Sequence, residues 1–431
     1  VNEPIVITAS GAICAAGATP DQIHQALRAG RSFFAPLRAW DSSAWPVPLA
    51  AGVERINAGA IFEDRKLLKA VQRLRRTDLL GLYAASRALK ACGMIEYRAS
   101  LDDARVAEFN ERTAVHTGCG GVAYHYQYDF LPALASAGGD LRVFGEKLGA
   151  SVNPTWLLQA LPNNVLCYLG IAYGFKGANS CITNHSVSGT LAIIEAFHTL
   201  RAGDADRAVA VGHDSPIEPE AILNLYHLGL LTTDAIRPFD AARSGCLLGE
   251  GAAAMVLETR AAADARGAPV LGAILGTGVT TEAGGVLALR PDGDGEARAI
   301  ELALEEAGIS PKEVGLIAAH GNGTVNSDLT EAAAIRRVFG AHMPAVTSFK
   351  WALGHTMAAA GSLDAVIALR CLSGGLVPGI ATLRDPDPRC LPLPISASET
   401  PVRSDIALVL GRGFGGMNTA LVIRAPLDGT L

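Results

Sequence analysis

The stretch from Ala178 to Gly203, ANSCITNHSVSGTLAIIEAFHTLRAG, leaves this chain the fewest ways to fold. Asn179 to Thr183 reads as a short strand. Asn184 and His185 make a sharp polar turn, and Ser186 follows it. Val187 to Leu200 reads as a buried helix, because Leu191, Ile194, Phe197 and Leu200 recur at helical spacing. Gly203 supplies a stop just past its end. Strand, tight turn and helix in that order place Ser186 at a helix start. Free backbone N–H groups and the positive dipole end point there at whatever the serine carries. Two readings stay open from this stretch alone: a nucleophile, or a serine that caps its helix and does no chemistry.

The same plan recurs later. One series holds strands at Pro4–Thr8, Thr113–Gly121, Asn179–Thr183, Ala208–Gly212 and Ala252–Glu258. A second holds strands at Val270–Val279, Val314–Ala319, Ala345–Ser348, Ile406–Leu410 and Thr419–Ile423, with helices at Glu296–Ala307 and Thr330–Phe339. In the second series AVTSFKWALGH leads to His355 and a small-residue helix ending at Leu372, as ITNHS leads to Ser186. Repeats of this kind predict two similar halves, 1–258 and 259–431. If the halves pack about a pseudo-twofold axis, the two helix starts face each other and bring Ser186 to His355. Between these elements, Phe33–Ala60 reads as irregular and Tyr124–Leu161 as an aromatic-rich cap. Asp64–Cys92 reads as a helix in two pieces. Its first piece carries Arg65, Lys66, Lys69, Arg73, Arg75 and Arg76, a solvated face or a dock for an acidic partner.

Composition removes several classes. With 49% hydrophobic residues and 47 glycines in 431 positions, the chain has ample material for a deep, closely packed core. A net charge of -6 gives no electrostatic reason to expect nucleic acid. The longest small-residue stretch, Thr356–Cys371, contains Asp364 and Arg370, so no membrane span is expected. VNEPIVIT has no basic leader segment, and a cytoplasmic protein is expected. The eight cysteines are scattered, with no CxxC and no zinc spacing; free thiols and no metal are expected. Cys181 and Cys119 are the alternative nucleophiles.

Three polar residues end apolar strands or open helices: Ser186, His320 in IAAHGNGT, and His355. Lys350 is one charge in an apolar segment. Together a hydroxyl, two histidines and a lysine are parts for acyl transfer. GRGFGG, Gly411 to Gly416, formally matches a dinucleotide fingerprint, but MNTALVIR after it reads as a strand where a helix is required. A glycine turn offering N–H groups to an oxyanion fits better.

The segments SCITNHSVSG, RPFDAARSGCLLGEGAAAMVLE, AAHGNGTVNSDLTE, SFKWALGHTMAAAGSLDA and GRGFGGMN together resemble a β-ketoacyl-acyl-carrier-protein synthase of the thiolase superfamily, over nearly the full length. The resemblance implies an α/β thiolase fold, five-layered αβαβα, made of two similar halves. It implies a dimer paired through the strand before Ser186, as homodimer or as heterodimer with a second ketosynthase. It implies no cofactor beyond acyl groups delivered on the phosphopantetheine of an acyl carrier protein. His320, His355 and Lys350 fall on the family's catalytic histidines and lysine, Asp364 falls where the family has a glutamate, and Phe414 falls on its gating phenylalanine, beside Gly415. The family's nucleophile is a cysteine after a small residue, and here the pair is His185-Ser186; Arg412 and Met417 also depart from the usual glycine loop.

A helix terminus shifts a pKa by roughly 1.5 units, enough to help a thiol but not a serine hydroxyl. Ser186 therefore needs a base, and His355 or His320 is the candidate. The expected function is acyl loading, acyl transfer or decarboxylative condensation through Ser186 in fatty-acid or polyketide metabolism. His355 is expected to activate the serine, and His320 with Lys350 to bind the second substrate. The N–H groups of Ser186 and Phe414 are expected to form the oxyanion hole. The alternative is a silent, chain-length-factor-like partner of a cysteine-bearing synthase. Arg65, Lys66, Lys69 and Arg73 are expected to dock the carrier.

Overall fold

The computed structural model describes residues 4–38, 40–121, 125–151 and 155–426. Ten strands form its main sheet: β1 (Ile5–Cys14), β2 (Thr113–Cys119), β3 (Asn179–Ile182), β4 (Arg207–Asp214), β5 (Gly251–Thr259), β6 (Gly272–Thr281), β7 (Leu316–Ala318), β8 (Ala345–Thr347), β9 (Ile406–Gly413) and β10 (Met417–Arg424). Their order is β8-β7-β9-β10-β6-β1-β5-β4-β2-β3. The two runs of five share one pattern. In each, the second strand pairs parallel with the third and fourth, and the fifth pairs antiparallel with the fourth and the first. Within the sheet the two runs join where Ile5–Ile7 pairs with Gly272–Ile274, across β1 and β6.

Six helices matter for the site: α1 (Arg65–Val71), α2 (Arg76–Ala91), α3 (Ser188–Arg201), α4 (Asp294–Ala307), α5 (Val325–Phe339) and α6 (Ala360–Gly374). α2 covers β1, β4 and β5 on one outer side, and α4 covers β6 and β10 on the other. α3 and α6 pack on each other between the two half-sheets, which makes five layers. Small residues allow that approach. A Cβ on Gly361 would lie 1.8 Å from the Thr190 hydroxyl, and one on Gly189 would lie 2.5 Å from the Ala358 carbonyl. α6 is buried along nearly its whole length, as a helix sandwiched between sheets must be.

Differences from the sequence expectations have local causes. β1 runs on past the expected strand end at Thr8 through SGAIC, because Ser10–Cys14 pairs with Gly251–Met255. A side chain at Gly11 would strike the Ala84 carbonyl of α2 at 2.2 Å, so small residues here mark close packing. α5 starts five residues before Thr330. In its first turn Ser327 and Asp328 are buried, and Asp328 accepts the N–H groups of Phe239 at 2.8 Å and Gly323 at 3.2 Å. The expected cap contains helices His125–Ser136, Leu141–Ser151 and Trp156–Ala160; Tyr124 and residues 152–154 of that expectation lie outside the described residues.

Candidate active site

The two helix starts meet at the centre. A 3-10 turn, His185–Val187, leads into α3, and its counterpart Met357–Ala359 leads into α6. His185 (φ 44°) and Met357 (φ 45°) occupy the left-handed region at matching places of the two turns. Ser186 Oγ lies 3.2 Å from His355 Nε2 and 3.9 Å from Met357 Sδ. His355 and His320 pack edge to face with centroids 5.2 Å apart. Ser186, His320, His355 and Phe414 line one cavity of about 670 Å³, with Asn322 and Thr324 at its polar wall.

Hydrogen bonds fix which ring nitrogen of His355 holds the proton. The Met357 N–H donates to Nδ1 at 3.3 Å, so Nδ1 accepts and Nε2 carries the hydrogen. Burial, with Lys350 nearby, pushes the His355 pKa down to about 3, and the ring is neutral. The expectation that His355 is the base for Ser186 is corrected on this ground: in this arrangement its Nε2–H donates toward the serine oxygen. His320 is also held neutral, well below the ordinary histidine range, by burial and by Lys350. Its Nδ1 faces the Arg412 N–H at 3.4 Å and its Nε2 faces Asn322 Nδ2 at 3.2 Å. Both neighbours are donors, since Asn322 Oδ1 already accepts from Thr324. The ring's own N–H therefore has no acceptor among these neighbours and is available to a substrate oxygen. Glu331 holds the strand end in place by accepting the N–H groups of His320 at 2.6 Å and Gly321 at 2.8 Å.

Lys350 is corrected too. Its Nζ lies 2.8 Å from Asp364 Oδ2, both side chains are buried, and neither lines the cavity. Its charge lowers the pKa of both His320 and His355. Gly415 gives its N–H to the Val286 carbonyl at 2.8 Å and does not line the cavity, although Phe414 and Gly416 do. Phe414 meets His185 edge to face at 5.4 Å. Phe414, Met357 and Leu225 also line a second cavity of about 1050 Å³, shared with Cys119, His185 and Asp214. Cys119 and Cys181 sit with their sulfurs 4.0 Å apart, and neither lines the Ser186 cavity. Arg412 turns its side chain away to Glu296 at 2.7 Å and Asn418 at 3.1 Å. On the basic segment Arg65, Lys66, Lys69 and Arg73 are exposed. Arg75 is buried against Asp78, and Arg76 is paired with Glu250. Sequence reasoning missed Met357, Asn322 and Glu331. The available signal was the place of Met357 two residues after His355, from which its backbone N–H reaches Nδ1.

Comparison with known proteins fits this geometry. The N-terminal domain of β-ketoacyl synthase matches residues 2–263 and its C-terminal domain matches residues 271–384. The chain belongs to the β-ketoacyl synthase family. A 3-oxoacyl-[acyl-carrier-protein] synthase 2 of Staphylococcus aureus (strain COL) is 30% identical, with 98% of each chain covered. Another, of Synechocystis sp., is 29% identical, with 97% of each covered. Among solved structures, the ishigamide ketosynthase/chain length factor superposes with a TM-score of 0.85 at 27% identity, covering 99% of this chain and all of that one. The family is one of condensing transferases in fatty-acid and polyketide synthesis.

Proposed function

We propose that this protein decarboxylates a malonyl thioester presented by an acyl carrier protein, and that Ser186 is a slow acyl acceptor beside it. The observation that carries this reading is two neutral histidines lining one cavity, each with Nδ1 accepting a backbone N–H. The malonyl thioester oxygen accepts from His320 and His355. The bond from the carboxylate carbon to Cα breaks, CO2 leaves, and the electron pair settles on the thioester oxygen as an enolate. Donors aimed at that oxygen stabilise the charge as it develops. The enolate then takes a proton from water, or attacks the acyl carbon of an ester on Ser186; in that case a C–C bond forms, the acyl C–O bond breaks, and the serine oxygen leaves as an alkoxide that takes a proton from water.

Loading of Ser186 is the harder step. Its oxygen must attack a carrier thioester while the C–S bond breaks, and its proton must leave. His355 Nε2 already holds a hydrogen, so the proton passes to the departing phosphopantetheine thiolate. The same observation favours the second reading, a silent partner of a cysteine-bearing synthase; the similar ishigamide protein is described as a ketosynthase/chain length factor. In both readings β3, the edge strand of the sheet, pairs with a second subunit. Exposed α1 presents Arg65, Lys66 and Lys69 to the acidic carrier.

The test is intact-mass analysis of malonyl- and acyl-carrier proteins mixed with the protein. Malonyl loss of CO2 that disappears in His320→Ala supports the proposal. Unchanged malonyl-carrier and an unmodified protein with every carrier would leave the silent partner.

A further inference from the structure

At the far end of α3 from Ser186 lies a polar cavity of about 1020 Å³, bounded by Arg112, Arg201, Asp206, Arg207 and Thr259. α3 runs fourteen residues, so roughly 20 Å of helix separates the two places at 1.5 Å per residue.

Arg207 opens β4 and is 9% exposed. Its guanidinium sits 4.4 Å over the Phe109 ring. Among the described residues it has no hydrogen-bond acceptor: Nε is buried without a partner, and Asp206 and Glu258 approach only to 3.9 Å. Both carboxylates are engaged elsewhere. Glu258 accepts from both Arg266 Nε and Nη2, and from the Thr8 hydroxyl at 2.6 Å. Asp206 accepts from Arg112 at 2.6 and 3.1 Å. Three guanidinium groups thus surround two carboxylates, and one buried positive charge is left over. Arg201 brings a further guanidinium to the cavity, 2.5 Å from Glu306. A buried charge without hydrogen bonds is costly, and natural interiors pair such groups. The C-terminal end of α3 opposes an anion here, but Arg112 already covers the Gly203 carbonyl at 3.0 Å.

We propose that this cavity binds a phosphoryl-type oxyanion, with Arg207 as its buried anchor and Arg112 and Arg201 at its mouth. A planar donor fork matches the oxygens of a phosphate, and the carboxylates already hold Arg112 and Arg201 in position. The site is separate from Ser186 and does not depend on the function proposed there.

The experiment is thermal unfolding and calorimetric titration of the full chain in chloride, with inorganic phosphate or a nucleoside diphosphate added at matched ionic strength. A saturable rise in Tm is expected. Arg201→Gln should weaken the affinity at least about tenfold, through loss of a charge-assisted bond. Arg207→Met should unfold in chloride no lower than wild type, because an unpaired buried charge is removed, and should lose the response. Tighter binding of inorganic phosphate identifies a free anion as the ligand; tighter binding of the nucleotide identifies a phosphoryl group on a larger molecule. No saturable response to either, or a response unchanged in both variants, overturns the proposal.

Discussion

Replacing Ser186 with cysteine tests the electrostatics of the helix start directly. A free thiol has a pKa near ~8.5. The N-terminal end of a helix contributes up to ~2 kcal/mol to an anion, or roughly 1.5 units. A hydrogen bond from His355 Nε2–H, 3.2 Å from the present oxygen, favours the thiolate by about a further unit. Burial acts the other way, because Ser186 is only 5% exposed, and takes back part of this. The expected pKa of the Ser186→Cys thiol is therefore below the ~8.5 of a free thiol. The assay is the rate of iodoacetamide alkylation against pH, followed by intact mass, with wild type subtracting the eight native thiols. Adding His355→Ala removes a donor to the charged form, so the pKa should rise by about one unit. The variant should also condense acyl and malonyl carriers faster than wild type, since a thioester is the better acyl donor. A thiol that titrates at or above ~8.5, unmoved by His355→Ala, would refute both the helix-end argument and the direction of the His355 hydrogen bond.

Three further outcomes are expected. Decarboxylation by the wild type should show no acid limb from His355 between pH 5 and 8, because burial holds that ring's pKa down to about 3; a limb abolished by His355→Gln would contradict this. Lys350→Met leaves Asp364 buried without its cation, which should cost about 3–5 kcal/mol in urea unfolding. Asp364→Leu added to it should recover much of the loss, and full stability in the single variant would refute the pairing. Reversing Lys66 and Lys69 to glutamate should weaken carrier binding, most at low salt, measured by titration at two ionic strengths. Unchanged affinity at the lower one would remove α1 as the dock.

Local pattern carried a great deal of this fold. Ser186 and His355 are 169 positions apart, and the internal repeat alone placed them together. Alternating strands and buried helices were legible because each central element is apolar on every side that meets a neighbour. Boundaries were lost where burial is made by polar or small residues. Ser327 and Asp328 are buried in the first turn of α5, and a side chain at Gly11 of β1 would strike Ala84. The proton on His355 was not legible at all. It depends on one backbone N–H, that of Met357, and backbone direction at a left-handed residue is not written in hydrophobic periodicity. Lys350 was misplaced for a related reason. A charge in an apolar segment signals a site or a buried pair equally well, and here the cation turns away to the Asp364 carboxylate.

The serine separates two properties that a cysteine joins. A thiol at a helix start ionises without help, so one residue accepts the acyl group and also yields a reactive thioester. The hydroxyl of Ser186 ionises only with a base, and the nearest nitrogen is already protonated. What this site keeps is the half of the chemistry that needs donors: two neutral imidazoles, held by Glu331 and by the Met357 N–H, facing the same space. In the proposed function that half acts on the malonyl oxygen and does not require an acyl-enzyme. The two rates should therefore part company, with malonyl decarboxylation measurable where transfer to Ser186 is slow. Their ratio, taken on one carrier preparation before and after Ser186→Cys, measures how far the serine alone limits condensation. A ratio that stays fixed when the thiol is introduced would place the block elsewhere, in the cavity or in the carrier dock.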